Sequence, residues 1–356
     1  GIADGGTEPA LASNVLPATR RKRWVGLAAA ALVELVLAAV YLREDLPQGV
    51  PSEMSAQTLV VLPFSNLGND SDNEFLSDGL TEDLINHVAN VPGIRVVAST
   101  SSFAFKGTRQ DVRDIASQLG VRHVLQGSVR RNGDQLRVTA ALSEAENGLV
   151  QWSRTFDTPF RDLFRVQDEI SASIVSELRP HFGESATVEV AVPAPTEDML
   201  AYELVLRGRY HLRAREEAPI LRSIELFEEA IRLDPGFGEA YRELARAYAL
   251  LPTYSYEDPF EMFALAEATL ERGVEMDAGL NDEVHDVRAF LHFSRWEWEA
   301  AEADFRRALE ISPNDSNLHQ WYSQQLAAVG KPKLALQSVL AARQLDMLSP
   351  VINQRL

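Results

Sequence analysis

Residues 301–313 read Ala301-Glu302-Ala303-Asp304-Phe305-Arg306-Arg307-Ala308-Leu309-Glu310-Ile311-Ser312-Pro313. Apolar residues at helical spacing followed by Ser-Pro predict a helix that closes at Ile311-Ser312-Pro313. Inside it a small, a large and a small residue stand at offsets of four and then three: Ala301, Phe305 and Ala308. The same set recurs as Ser223, Phe227 and Ala230, as Ala266, Leu270 and Gly273, and as Ala335, Val339 and Ala342. Each precedes a closing tripeptide: Leu233-Asp234-Pro235, Met276-Asp277-Ala278, Ile311-Ser312-Pro313 and Leu345-Asp346-Met347. Their spacings of about 43, 35 and 34 residues are those of a repeated helix pair. Small residues let neighbouring helices approach, and the large residue fills the gap between them. The preceding helices are less regular. Clearest is Ala240-Tyr241-x-x-Leu244-Ala245-x-x-Tyr248. The long spacing is assigned to an insertion around Leu251–Tyr256, before a helix that starts near Pro259. Residues 199–356 are therefore expected to form an all-α solenoid of about four helix pairs. The final Val351–Leu356 reads as the start of another helix, so the array is expected to continue.

Upstream, residues 57–182 carry a different pattern. Leu59–Phe64 is a continuous apolar run, as in a strand buried on both faces. Phe75–Val91 has Leu76, Leu80, Leu84, Ile85 and Val88 at helical spacing, and Pro92-Gly93 ends it. Ile94–Val97 is a second strand, and Asp111–Leu119 a helix stopped by Gly120. Asn132-Gly133 and Asn147-Gly148 punctuate three strands, Val121–Arg131, Gln135–Ser143 and Leu149–Asp157. Phe160–Leu178 closes the unit as a helix. The predicted order is β-α-β-α-β-β-β-α, an α/β domain. Residues 183–198, with Pro193 and Pro195, read as a linker.

Further upstream, Trp24–Leu42 is apolar except for Glu34 and would extend roughly 28 Å as a helix, enough to span a bilayer. Arg20, Arg21, Lys22 and Arg23 precede it, which orients the N-terminus to the cytoplasm and residues 43–356 to the periplasm or outside. A signal peptide is the competing reading, but Tyr41–Glu44 is a poor cleavage site. Gly26 and Ala30 offer a weak close-approach face, so the span could carry a homodimer contact, with Glu34 pairing across it. Residues 1–23 read as a cytoplasmic linker and 43–56 as a second linker. The chain starts at Gly1 rather than Met, which predicts a fragment of a longer protein.

The formal charge of −18 and the confinement of dense basic residues to the membrane boundary argue against nucleic-acid binding by this portion. With no Cys, there are no disulfides and no thiolate metal sites.

Two resemblances follow from these residues. The helical part resembles a tetratricopeptide repeat array. That resemblance implies a concave groove, lined by the first helix of each pair, that binds protein segments. Arg242, Arg246, His285, His292, Gln320 and Gln324 lie on the unburied side of those helices and are the groove candidates; an ordinary solvated helix face competes for each. The α/β unit resembles the TolB N-terminal-like domain of bacterial membrane regulators. The matching residues are Val60–Phe64, Phe75–Leu84, Ser101–Gly107, Leu119–Arg130 and Gln167–Ile170. In such regulators the output precedes the span and is a winged-helix domain, a nucleotidyl cyclase or a protein kinase. The resemblance therefore implies inner-membrane signalling, with an output domain upstream of Gly1.

No catalytic constellation is visible, no cofactor is called for, and the residues present read as non-enzymatic. Asn69–Glu74 invites a calcium-loop reading, yet it lacks an EF-hand's central Gly and closing Glu, so loop and cap roles are preferred. Phe105-Lys106-Gly107-Thr108 lacks the Gly-x-x-x-x-Gly-Lys pattern of a phosphate loop. His285 and His292, seven apart, have no third metal ligand. Asp78, Glu82 and Asp83 are read as dipole-favoured carboxylates near a helix start rather than an acid–base pair.

Overall fold

The computed structural model describes residues 58–68, 73–91, 93–178 and 194–354, all within one compact unit. The proposed span, both N-terminal linkers, most of the loop at Asn69–Glu74 and most of the 183–198 linker lie outside the described residues. Among the described residues no helix is long and apolar enough to cross a membrane.

A mixed sheet comes first. Strand β1 (Thr58–Val61) pairs in parallel with β3 (Arg95–Val96) on one side and β4 (His123–Asn132) on the other. β4, β5 (Gln135–Glu144) and β6 (Val150–Pro159) form an antiparallel meander, giving the order β3-β1-β4-β5-β6. A two-residue strand, β2 (Ser65–Asn66), also pairs with β4. The Asn132-Gly133 turn closes at φ +58° on Gly133, a conformation glycine adopts without penalty.

Side-chain alternation along β1 assigns its two faces. Leu59 and Val61 enter one core with α1 (Glu74–Ala89) and α4 (Leu163–Leu178). Val60 and Leu62 enter a second core with α3 (Val112–Leu119). Both faces are covered, which is why the strand reads as a continuous apolar run. It is shorter than Leu59–Phe64, since Pro63 has no N–H for a ladder. The predicted order lacked β2 and the short helix α2 (Ser99–Phe103), which takes in the first residues of the Ser101–Gly107 stretch and ends before Ala104. Asp111 caps α3, accepting from the Arg113 amide at 2.9 Å, and is not part of it. The predicted final helix begins as a 3₁₀ turn, Phe160–Asp162.

Paired helices follow: α5 (Met199–Leu212) with α6 (Glu217–Leu233), α7 (Gly238–Tyr254) with α8 (Pro259–Met276), α9 (His285–Ser294) with α10 (Trp298–Ile311), and α11 (Ser316–Ala328) with α12 (Pro332–Leu345). A short α13 (Pro350–Asn353) comes last. α7 runs through Pro252 to Tyr254, so most of the expected insertion is its final turn. Ser223, Phe227, Ala230, Ala245, Ala266, Leu270, Gly273, Ala301, Phe305, Ala308, Ala335, Val339 and Ala342 are buried, as are Tyr241 and Leu244; Tyr248 is half-buried. Gly208 faces the Phe227 ring so closely that a Cβ would collide with it. A Cβ on Gly273 would stand 2.7 Å from the Cβ of Tyr241. Close approach within the first two pairs thus depends on glycine.

Candidate interaction groove and its charged seam

The first helices α7, α9 and α11 lie side by side, and around Arg246 they enclose a cavity with room for about 10 Å³. Ala249, Leu250, Val287, Phe290 and Trp321 complete its lining. The rings of Phe290 and Trp321 stand 5.1 Å apart. Arg246 is committed to Glu243 at 3.3 Å and to Asp286. Arg242 stands 3.7 Å from Asp286, 3.8 Å from Glu239 and Glu283, and 3.9 Å from Glu243. His285 and His292 are brought together on one carboxylate, Asp304: Nδ1 of His285 at 2.6 Å and Nε2 of His292 at 3.4 Å. Arg288 donates to Asp304 as well, at 2.8 Å. Gln320 is buried, contrary to the expectation of an unburied position, and Gln324 is half-buried.

The arginines of this face continue a larger seam that sequence reasoning missed. It joins α1 of the sheet domain to α5 and α7. Asp78 accepts from Lys106 Nζ at 2.7 Å and Arg213 Nη1 at 2.7 Å. Lys106 also reaches Glu74 at 2.8 Å. Arg213 donates through Nε to Glu82 at 3.0 Å, and its guanidinium lies 4.2 Å from the Phe103 ring centre. Asp83 takes three partners: Arg209 at 3.0 Å, Gln167 at 2.8 Å, and the Tyr202 hydroxyl, which donates to it. Gln167 also donates to Tyr202 Oη at 3.0 Å, so α1, α4 and α5 meet on one buried polar cluster. Arg209 turns to Glu239 and, at 3.5 Å, to Glu243, handing the seam on to Arg242 and Arg246.

Burial and pairing oppose each other along this seam. Burial raises the Glu82 carboxyl above its ordinary value although Arg213 and Arg209 pull it down. For Glu243 burial also pushes upward, but Arg246, Arg209 and Arg242 outweigh it and hold the group down to about 2. Tyr202 is raised well above the usual phenol range by burial and by the Asp83 charge. Arg209 and Arg246 stay firmly protonated despite burial because carboxylates surround them.

The arrangement orients helices and fixes the junction. Asp78, Glu82 and Asp83 are each committed to cations or hydroxyls from α5 and the α2 region. A sequence signal existed: Asp78-x-x-x-Glu82-Asp83 and Arg209-x-x-x-Arg213 repeat at the same one-turn spacing with opposite charge. Nothing local says that these two helices meet.

No family model matches the chain. It is similar to "Putative adenylate cyclase 3" of Rhizobium meliloti (strain 1021), with 33% identity over 198 residues. That match takes in 55% of this chain and 33% of the relative, so the chain spans about a third of the length of the curated protein it matches. Among solved structures, the C-terminal domain of LpoB from Salmonella enterica is 25% identical over 32% of this chain and 87% of its own, with a TM-score of 0.25. MamA from Desulfovibrio magneticus RS-1 is 16% identical over 52% of this chain and 89% of its own, with a TM-score of 0.30. At these scores the structural likenesses decide nothing about this chain.

Proposed function

We propose that this chain is the non-catalytic sensing and protein-interaction region of a bacterial single-pass membrane signalling protein. In this reading the sheet domain is a TolB N-terminal-like domain and the helix pairs are tetratricopeptide repeats. The first-helix face around Arg242, Arg246, Phe290 and Trp321 takes a protein segment. The charged seam is the observation that carries it. A sensor needs the first of its ligand-facing helices anchored to the part next to the membrane, and paired charges in a largely buried seam fix orientation more than they add stability. The three clustered carboxylates Asp78, Glu82 and Asp83 are all engaged in this coupling.

The similarity to a protein named as an adenylate cyclase favours one output in particular. The whole protein would be a membrane-bound nucleotidyl cyclase, with the catalytic part outside residues 1–356 and this region governing it from across the membrane through Trp24–Leu42.

Two measurements test the reading. Residues 1–356 incubated with ATP and a divalent metal should form no cyclic nucleotide; sustained turnover would refute the non-catalytic assignment. Alkaline phosphatase fused after Leu178 should be active and a fluorescent protein at the same site dark. The reverse would place the sheet domain in the cytoplasm and remove the case for sensing across a membrane.

A further inference from the structure

The helical array touches the sheet domain twice, and the two contacts are built differently. At α1 and α5 they share one apolar core, in which Leu76, Leu80 and Leu84 pack with Tyr202, Val205 and Leu206, and the charged seam lies over it. Gly79 permits this approach: a Cβ there would stand 2.7 Å from Leu206 Cδ2.

The second contact closes the array back onto the sheet domain at its far end. The Ala98 amide donates to Leu345 O at 2.8 Å. Ser101 Oγ donates to Asp346 Oδ1 at 2.5 Å and accepts from the Leu348 amide at 2.9 Å. Asn314 Nδ2 bridges Ala89 O and Ile94 O at 2.7 and 3.2 Å. Met347 is the apolar element, packed on the sheet's smaller core. Between the two contacts lie the core around Leu270 and Leu291, which meets the large sheet core through the half-buried Ile231 and Tyr248, and a further cluster around Phe305 and Leu318. Asp346 is itself buried with hydroxyl and amide donors, and among the described residues no ion pair meets it. Held by hydroxyl and amide donors alone, the carboxylate keeps the contact closed through hydrogen bonds that water replaces once it parts.

We propose that the far contact is a releasable clasp and the α1–α5 core its hinge, so that the later helix pairs swing from the sheet domain as a block. Repeat arrays suit this motion, because each pair rests chiefly on its neighbours. Opening would free the acceptors Ala89 O and Ile94 O and uncover α2 and β3. The clasp belongs to the fold and does not depend on which output or partner the chain serves.

Amide hydrogen exchange on the 356-residue chain reads it directly. The Ala98 and Leu348 amides should exchange through an opening that leaves α1 and α5 protected. Asp346→Ala and Asn314→Ala remove different bonds of the contact, yet each should accelerate both amides together, by about five- to tenfold. The clasp is overturned if Ala98 and Leu348 exchange only as slowly as α5 amides, or if each variant accelerates its own neighbourhood alone. Loss of α5 protection in both variants would also overturn it, since the far contact would then be part of the common core.

Discussion

Glu243 stands among three guanidiniums with only 3% of its side chain exposed, and its carboxyl is held down to about 2. Its folded value lies below the ordinary 4.5, so the stability it contributes is fully present above about pH 4.5 and is lost as pH falls towards 2. Glu243→Gln should cost on the order of 3 kcal/mol at pH 7, because three half-buried guanidiniums lose a shared, buried partner. Urea unfolding across pH should show the gap between wild type and variant steady down to about pH 5 and closing between there and pH 2. A gap that persists at pH 2 would mean that packing, not charge, holds the residue. Gly273→Ala probes the other kind of single-residue demand. Its Cβ would press on Tyr241 and Leu280, and the backbone of α8 must shift; a loss of about 1–3 kcal/mol is expected in the same assay. An unchanged midpoint would show that the two helices yield freely there.

Helix periodicity made most elements legible, because a one-sided apolar stripe is written in each helix by itself. The small-large-small sets are an instance: Ala301, Phe305 and Ala308 line one face of α10, and that face meets Ala289 of α9 and Leu318 of α11. Short elements escaped. β2 and α2 are two and five residues long, too short for a period to declare itself, and Pro252 looked like a break although α7 continues past it. The seam escaped for another reason. Arg213 and Asp78 are 135 residues apart; Asp78, Glu82 and Asp83 read as carboxylates favoured by a helix start, but they lie beyond the first turn of α1 and are held by cations and hydroxyls that only the fold brings to them. Of the groove candidates Gln320 is buried, and the spacing alone did not foretell that Arg246 pairs with Asp286 or that Arg242 stands 3.7 Å from the same carboxylate. At the level of elements, Phe305→Ala should leave a cavity in the core that α9, α10 and α11 share and cost about 3–5 kcal/mol locally. Hydrogen exchange should place that loss in α9–α12 and spare α5 and α6. Loosening that spread to β4 and β5 would contradict the separation of cores.

Across the whole molecule, one apolar core runs from the sheet through α1 and α4 into α5, α6 and α7, so the domain boundary in sequence is not a boundary in packing. The buried Tyr202–Asp83–Gln167 cluster sits at the crossing. Tyr202→Phe removes the hydroxyl and leaves Asp83 one donor short in a buried site, a loss of about 1–3 kcal/mol. If the two parts were independent, that loss would register in whichever part was less stable. A shared core predicts otherwise. Trp152 on β6 reports the sheet, and Trp321 on α11 reports the later helices. In variants keeping one of these tryptophans at a time, Tyr202→Phe should move the Trp152 transition to lower denaturant. Probes on α6 should follow it with the same midpoint and slope. Trp321, packed on the core around Phe305 and Leu318 and meeting α7 at the cavity beside Arg246, should shift less than Trp152. Equal shifts at both tryptophans would make the unit cooperative throughout and leave no room for a block that swings; a shift confined to α6 would break the shared core in two.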